Sequence, residues 1–558
     1  MQPSLDLRPG SLAAAISQYQ SSAERALAGL WRRDPATWSA DTGVQQKIAD
    51  RLGWLTSPQL MADSVDRLSA CAARVKADRL TDVVLLGMGG SSLAPEVLRA
   101  IVGVAGESPR LHMLDSTDPA AVLSIASDPR STLFVLASKS GTTIEPNSLA
   151  AHFRKRLEDA GESSWASHFI AITDAGTALA KHADADRYRD TFINPSDIGG
   201  RYSALSFFGM VPSALMGQNV RAIAESGLRM LAASDPARVT FGANPSGQLG
   251  LAIGAAARSG RDKLTVLLPP SLEEFGLWVE QLIAESTGKH GVGVIPIAGE
   301  PLARRYGDDR LFVRISTAAD AAPMPPTGLD APMVSIELAS KEDIGGEFVR
   351  WEIATAIAGA ILEINPFDEP NVQQAKDATK ALLEGFKKSG ALPVPPPDRT
   401  LANGVTLTLS SAAKHALAGK PSEGFLATIN PHDYFGLLAY LGPAADLRSA
   451  LVAFRGAVLD HAGVATMFGY GPRYLHSTGQ LHKGGANTGV FVVVSAPPVE
   501  DVAIPGESFS FGTLEHAQAL GDFASLDATG RRALLIHLPR PDARTLKEAF
   551  DALLNAQS

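Results

Sequence analysis

Apolar residues between 11 and 78 recur at three- and four-residue spacings, as from Ser64-Val65-Asp66-Arg67-Leu68-Ser69-Ala70 into Ala73-Arg74-Val75, which predicts helices. The period then changes. Val83-Val84-Leu85-Leu86 is a short continuous apolar run that stops at a glycine cluster, as a strand buried on both faces does. Similar runs follow at Leu111 to Leu114, Leu133 to Ala137 and Phe169 to Ile172, with helical stretches such as Leu149 to Asp159 between them. The pattern restarts after Gly250. Strands are predicted at Leu264 to Leu268, Val292 to Ile297, Leu311 to Ile315 and Met333 to Leu338, with helices over Glu274 to Glu285 and Gly346 to Glu363. Alternating strands and helices imply crossover connections, hence α/β architecture with parallel sheets covered by helices.

Length turns that pattern into more than one unit, because 558 residues exceed an ordinary single core. The expected division is a helical segment over 1–78, α/β domains over 79–235 and 245–385, and a C-terminal α/β region over 400–558. The proline run Pro393-Val394-Pro395-Pro396-Pro397 cannot continue a helix and marks a linker. A net charge of −9 without a Lys/Arg-rich block argues against nucleic acid as a partner. No apolar stretch is long enough to span a membrane. The single cysteine, Cys71, leaves no intramolecular disulfide and fits a reducing compartment. The opening residues from Met1 show no basic-then-apolar leader, so a cytoplasmic location is expected.

In an open parallel sheet, ligands bind beyond the carboxyl ends of the strands. Two loops there carry chemistry. Gly87-Met88-Gly89-Gly90-Ser91-Ser92 can bring backbone N–H groups close to an anion. A dinucleotide loop is the rival reading, with Asp115 after the next strand, but Ser92 stands where the third glycine of that fingerprint belongs. Ser138-Lys139-Ser140-Gly141-Thr142-Thr143 gathers four hydroxyls, an ammonium and a permissive glycine, an inventory suited to a phosphate dianion. It lacks the Gly-Lys-Ser/Thr order of a Walker loop. Together the two loops favour a sugar phosphate over a dinucleotide.

These loops resemble the sugar isomerase (SIS) domain of the phosphoglucose isomerase family. Four further segments are similar to that family's motifs: Gly199-Gly200-Arg201-Tyr202-Ser203, Gln281 through Glu285-Ser286-Thr287-Gly288-Lys289, Phe367-Asp368-Glu369-Pro370-Asn371-Val372 through Lys376, and His476-Ser477-Thr478-Gly479-Gln480. The resemblance runs from about 85 to 482. It implies two SIS domains with N- and C-terminal additions, and aldose–ketose isomerisation of glucose 6-phosphate and fructose 6-phosphate through a cis-enediol. It implies no cofactor and no metal, because hydrogen moves as a proton.

The roles follow by resemblance, position by position. Glu285 is the base that carries the proton between C2 and C1, and Gln281, four residues earlier on the same helical face, lines its surroundings. Arg201 supplies positive charge for the enediolate, or else braces two loops. His476 and Lys376 match the groups that open the ring, and Glu145 the carboxylate that orients the histidine. The phosphate contacts carry over to Ser91, Ser138, Lys139, Ser140 and Thr143, with Gly90 beside the substrate. His482 is a weaker alternative to His476. The chain departs from the pattern in three ways: the lysine segment precedes the histidine segment, Glu369 replaces a glutamine, and Asn371 replaces a glycine. That order resembles the isomerase half of fused transaldolase–phosphoglucose isomerase proteins, and no transaldolase segment is present. Relatives are homodimers whose histidine crosses from the partner subunit, so a homodimer is expected. An isomerase that also accepts mannose 6-phosphate, a non-catalytic sugar-phosphate sensor and an NAD-linked dehydrogenase are the competing functions.

Overall fold

A computed structural model describes residues 4–326 and 331–556, so the first three residues of the N-terminal segment lie outside it. Strands are β1 (Asp6–Arg8), β2 (Asp82–Gly87), β3 (Arg110–Leu114), β4 (Thr132–Ala137), β5 (Phe169–Asp174), β6 (Asp190–Asn194), β7 (Lys263–Leu267), β8 (Ile295–Ile297), β9 (Arg310–Thr317), β10 (Met333–Leu338), β11 (Arg399–Thr400), β12 (Thr406–Leu409), β13 (Tyr434–Tyr440), β14 (Ala465–Tyr470), β15 (Gly489–Ser495) and β16 (Arg532–His537).

They form three sheets. The first, in order β3-β2-β4-β5-β6, is parallel throughout. The second, β1-β10-β9-β7-β8, is parallel except for the edge strand β1. The third, β11-β12-β16-β15-β13-β14, is parallel over β16 to β14 and antiparallel at the β11–β12 end. The α/β architecture is therefore as the apolar runs imply, with a third sheet built by the C-terminal addition. Among the described residues, no helix is long and apolar enough to cross a membrane.

Each expected strand of the first two sheets is present, one of them shortened, and two strands were missed: β6, and the short edge strand β1, which pairs with β10 inside the 1–78 stretch expected to be helical. Val292 to Ile297 pairs only over Ile295–Ile297, because Val292 bridges back to Lys289 and the Val294 N–H donates to Thr287 Oγ1. Strand β6 (Asp-Thr-Phe-Ile-Asn) escaped the pattern because it is a half-exposed edge strand with polar ends. The second sheet's long helix runs Ile344–Ile361 and stops at Glu363, whose φ is 60°.

A continuous apolar core joins the first two sheets, from Leu12 through Val83, Val266 and Ile353 to Phe367. Helix Phe511–Ala528 is buried along almost its whole length and packs two ways. Phe511, Leu514 and Ala517 join Val84, Leu86, Phe134 and Leu136 on the far face of the first sheet. Ala519, Leu520, Phe523 and Leu526 join Tyr440, Phe491 and Leu535 on the third. Fully burying one such side chain stabilises by roughly 1.5–3 kcal/mol, so the helix binds the two sheets together. Its N-terminus is fixed by the Ser510 side chain, which accepts from Thr513 N, and by Asp501, which accepts from Gly512 N at 2.9 Å.

Polar ties reinforce that seam at the loop after β3. Arg473 donates to Asp115 at 2.7 Å and Thr117 Oγ1 donates to Gln518 Oε1 at 2.7 Å. Glu515 is hydrogen-bonded to Asp118. Asp118 caps helix Pro119–Leu123 by accepting from Ala121 N, which marks it as the ionised member and Glu515 as the protonated one. Burial first, and then the Asp118 and Asp501 charges, push the Glu515 carboxyl well above the ordinary range. A carboxyl whose pKa is raised on folding contributes stability that is complete at acid pH and declines as pH rises above the unfolded value. Relative to Glu515→Gln, the parent protein should therefore lose stability between pH 5 and pH 8, by at most about 1.4 kcal/mol per pH unit. Denaturant titrations of both proteins across that range read the difference; parallel curves would contradict the shared proton.

Candidate functional site

Four segments converge at the carboxyl ends of the first sheet. The β2 loop turns through Gly89 (φ 55°) into a 3-10 turn over Gly89–Ser91 and then helix Leu93–Ile101. Its glycines serve close packing. A methyl group on Gly90 would lie 2.0 Å from the Gly200 carbonyl oxygen, and one on Gly89 would lie 2.5 Å from the His476 carbonyl oxygen. The Gly199–Ser203 turn and the histidine turn are thus held directly against this loop. The space a dinucleotide would need beside Gly90 is filled by Gly200, and Asp115 is engaged by Arg473.

The β4 loop is held by its own hydroxyls. Ser138 Oγ accepts from Gly141 N at 3.1 Å and donates to Thr143 Oγ1 at 3.3 Å, while Ser140 Oγ lies 3.0 Å from Thr142 Oγ1. Gly141, at φ 67°, permits the turn. Thr143 then precedes helix Ile144–Asp159, whose first turn carries Glu145. Lys139 points away from this turn: its ammonium pairs with Asp174 and donates to the Ser196 carbonyl at 2.9 Å.

A cleft of about 790 Å³ opens beside this loop. It is lined by Ser140, Thr142 and Thr143, by Glu145, His476 and Gln518, and by Lys376 and Lys380, whereas Gln281, Glu285 and Arg201 lie outside its lining. Lys376 is exposed on helix Val372–Ser389. Of the five positions matched to phosphate contacts, Ser140 and Thr143 thus face the cleft and Ser138 shapes the loop. Lys139 is turned aside, and Ser91 sits in the neighbouring β2 loop.

His476 ends a 3-10 turn (Arg473–His476) that follows a cis Gly471–Pro472 bond. Its Nε2 lies 2.9 Å from Glu145 Oε1. Burial alone would raise the Glu145 carboxyl, but the His476 charge and hydrogen bond, with Lys376 adding, hold it below the ordinary range. Ionised Glu145 can only accept, so Nε2–H donates and Nδ1 is the nitrogen free for proton exchange. His482, the weaker candidate, is buried among Tyr434, Tyr474 and Phe491, apart from this cleft.

Gln281 links this pair to the second sheet. Its Nε2 donates to the His476 carbonyl at 2.8 Å and to Glu285 Oε2 at 3.1 Å. Both partners are acceptors, which fixes the amide's orientation and leaves Gln281 Oε1 buried without a hydrogen-bond partner. Glu285 lies in the last turns of helix Phe275–Thr287, 3.4 Å from Arg201. Burial pushes its carboxyl above the ordinary range, Arg201 opposing and Glu369 adding to the rise.

Arg201 is buried, makes four hydrogen bonds and adds an ion pair to Glu285. Nε donates to Ser286 Oγ (2.8 Å), Nη1 faces Glu369 (3.0 Å) and Glu285, and Nη2 donates to the carbonyls of Pro366 (2.8 Å) and Asp368 (2.9 Å). The arginine therefore braces three segments and delivers its charge beside Glu285 at the same time. Lys289 lies behind it, donating to Asn365 O and Asp368 Oδ1, with burial and Arg201 lowering its pKa to about 8. Glu369, where the resembling motif has glutamine, makes the Arg201 charge shared between two carboxylates.

Sequence reasoning missed Gln518, which donates to Glu145 Oε1 at 2.7 Å. It lies in no recognisable motif, and only the packing of helix Phe511–Ala528 reveals it. Among the described residues, no group of three or more His, Cys, Asp or Glu side chains is placed to hold a metal ion.

A phosphoglucose isomerase family model matches residues 59–230. The glucose-6-phosphate isomerase of Trichormus variabilis is 27% identical over 398 residues, covering 59% of this chain and 74% of that protein. The protein of the same name from Parabacteroides distasonis is 28% identical over 402 residues, covering 61% of this chain and 89% of its own. A hypothetical protein from Thermus thermophilus, solved by crystallography, shares the fold with a TM-score of 0.56 at 23% identity, over 68% of this chain and 99% of that one.

Gly90→Ala should disrupt the contact between the β2 loop and Gly200, because the methyl meets backbone rather than a movable side chain. Overpacking of this kind costs about 1–3 kcal/mol. A lowered denaturation midpoint, with ligand binding weakened in parallel, is the expected outcome; an unchanged midpoint would show that the two loops separate freely.

Proposed function

We propose that the chain is a member of the phosphoglucose isomerase family and that it interconverts glucose 6-phosphate and fructose 6-phosphate by ring opening and proton transfer through a cis-enediol(ate). The observation that carries the reading is an unbroken chain of contacts, Glu145–His476–Gln281–Glu285–Arg201, running from the hydroxyl-rich turn to a buried carboxylate.

The phosphate is placed at the Ser140–Thr143 turn, where hydroxyls and the N-terminus of helix Ile144–Asp159 favour an anion. His476 Nδ1 and Lys376 then serve the ring oxygen and the C1 hydroxyl. Glu145 holds the imidazole through Nε2 and stabilises it when it becomes cationic. Glu285, desolvated and so a stronger base than a surface carboxylate, takes the proton from one carbon and returns it to the next. Arg201 places fixed positive charge beside the developing enediolate without rearranging. Gln281 Oε1 is left to accept from a sugar hydroxyl. A base and its conjugate acid suffice for this chemistry, and a cytoplasmic enzyme accords with it.

Glu285→Gln keeps the shape of the side chain and removes the base. Isomerisation should fall by roughly 10²–10⁴-fold while affinity for 6-phosphogluconate stays within a few-fold. Retained turnover would exclude Glu285 as the proton carrier. In the parent protein, kcat should decline in acid with an apparent pKa above the ordinary carboxylate value, since the base must be ionised to act.

By resemblance the assembly is a homodimer. Unlike relatives whose histidine comes from the partner subunit, this chain brings its own His476 to its own Glu145. Specific activity should therefore stay constant on dilution through any dimer–monomer transition, measured by activity beside analytical ultracentrifugation. A fall that tracks dissociation would mean that a partner residue completes the site.

A further inference from the structure

We propose that Gln518 is a positioning residue for the isomerisation, holding Glu145 in the one orientation that aligns His476 with the sugar. The inference rests on the role given above to the Glu145–His476 pair.

The Gln518 side chain is buried and both ends of its amide are engaged across the seam between the first and third sheets. Oε1 accepts from Thr117 Oγ1 at 2.7 Å, and Nε2 donates to Glu145 Oε1 at 2.7 Å. The reverse amide orientation would set an oxygen against the Glu145 carboxylate, so the orientation is determined by chemistry as well as by distance. Glu145 Oε1 thus receives two donors, the Gln518 amide and His476 Nε2. With His476 as sole partner, the carboxylate and imidazole could swing together. The second donor, anchored on a different element, removes that freedom.

The same helix also holds the other member of the pair. Asp522, one turn beyond Gln518, accepts from the Tyr474 hydroxyl and from Lys483 Nζ at 2.5 Å. Tyr474 lies two residues before His476 on the same 3-10 turn. Gln518 therefore grips Glu145 directly while Asp522 grips the turn that carries the histidine, so one rigid helix sets the geometry of both. An amide in this position, on a helix whose neighbouring face packs Leu514 and Ala517 in an apolar cluster, is costly to bury unless its hydrogen bonds are made.

Two substitutions test this. Gln518→Leu preserves volume and removes both hydrogen bonds. Its kcat should fall roughly ten- to a hundredfold, the scale expected for misplacing a reacting group by up to about 1 Å, with KM for fructose 6-phosphate little changed. Gln518→Glu keeps the shape but can donate to Glu145 only when protonated. Its kcat relative to the parent should therefore rise toward acid pH and collapse as pH rises, with Glu145, His476 and Lys376 the charged groups that set where. A purely structural role would instead lower the folded fraction in step with activity as pH rises, which circular dichroism on the same samples reads. Parent-like kcat in Gln518→Leu, or a Gln518→Glu deficit that does not vary with pH or that follows the folded fraction, would overturn the proposal. If Gln518→Leu fails to fold, the Gln518→Glu profile alone decides. Absence of isomerisation in the parent protein would instead overturn the functional reading beneath it, and the two failures are thereby distinguished.

Discussion

The site depends on the burial of helix Phe511–Ala528 between two sheets. One side of the helix completes the apolar layer behind β2 and β4, and the other completes the layer on the third sheet. Neither sheet can shed that surface to water without exposing several large side chains, so their relative placement is set by packing rather than by the proline-rich connection between them. His476, Arg473 and Gln518 all arrive at the first sheet because this helix does.

Electrostatics then sharpen what packing has placed. Charges are held here in matched sets: Glu145 with His476, Glu285 with Arg201, and buried Lys289 with a partly exposed Asp368. A buried charge without a partner would be expelled or neutralised, so each set fixes the protonation state of its members as well as their positions. The carboxyls of Glu145 and Glu285 illustrate the result. One is held below its ordinary range by an adjacent imidazole and the other above it by burial, which suits an orienting anion and a proton carrier respectively.

Much of this was legible in the sequence, for identifiable reasons. Strands β2, β4 and β5 are uninterrupted apolar runs because both of their faces are covered. The loops after β2 and β4 stand out because glycine and hydroxyl residues have no reason to cluster except at a turn or a ligand. What was not legible depends on contacts between distant segments. That Gly90 faces a carbonyl rather than an anion, that Lys139 turns to Asp174, and that Arg201 makes four hydrogen bonds to protein acceptors are facts of loop packing. Gln518 is the extreme case. Its partners Thr117 and Glu145 are 401 and 373 residues away, and nothing local distinguishes it from any other helical glutamine.

The pairing of Glu145 with a histidine 331 residues further along the same chain also has a consequence for biosynthesis. Domains generally fold in the order in which they leave the ribosome. The hydroxyl-rich turn and Glu285 are therefore made well before the imidazole, and before the helix that covers the far face of the first sheet. The pair on which the proposed mechanism relies thus forms only after the segment from Arg473 to Ala528 has been made and has docked.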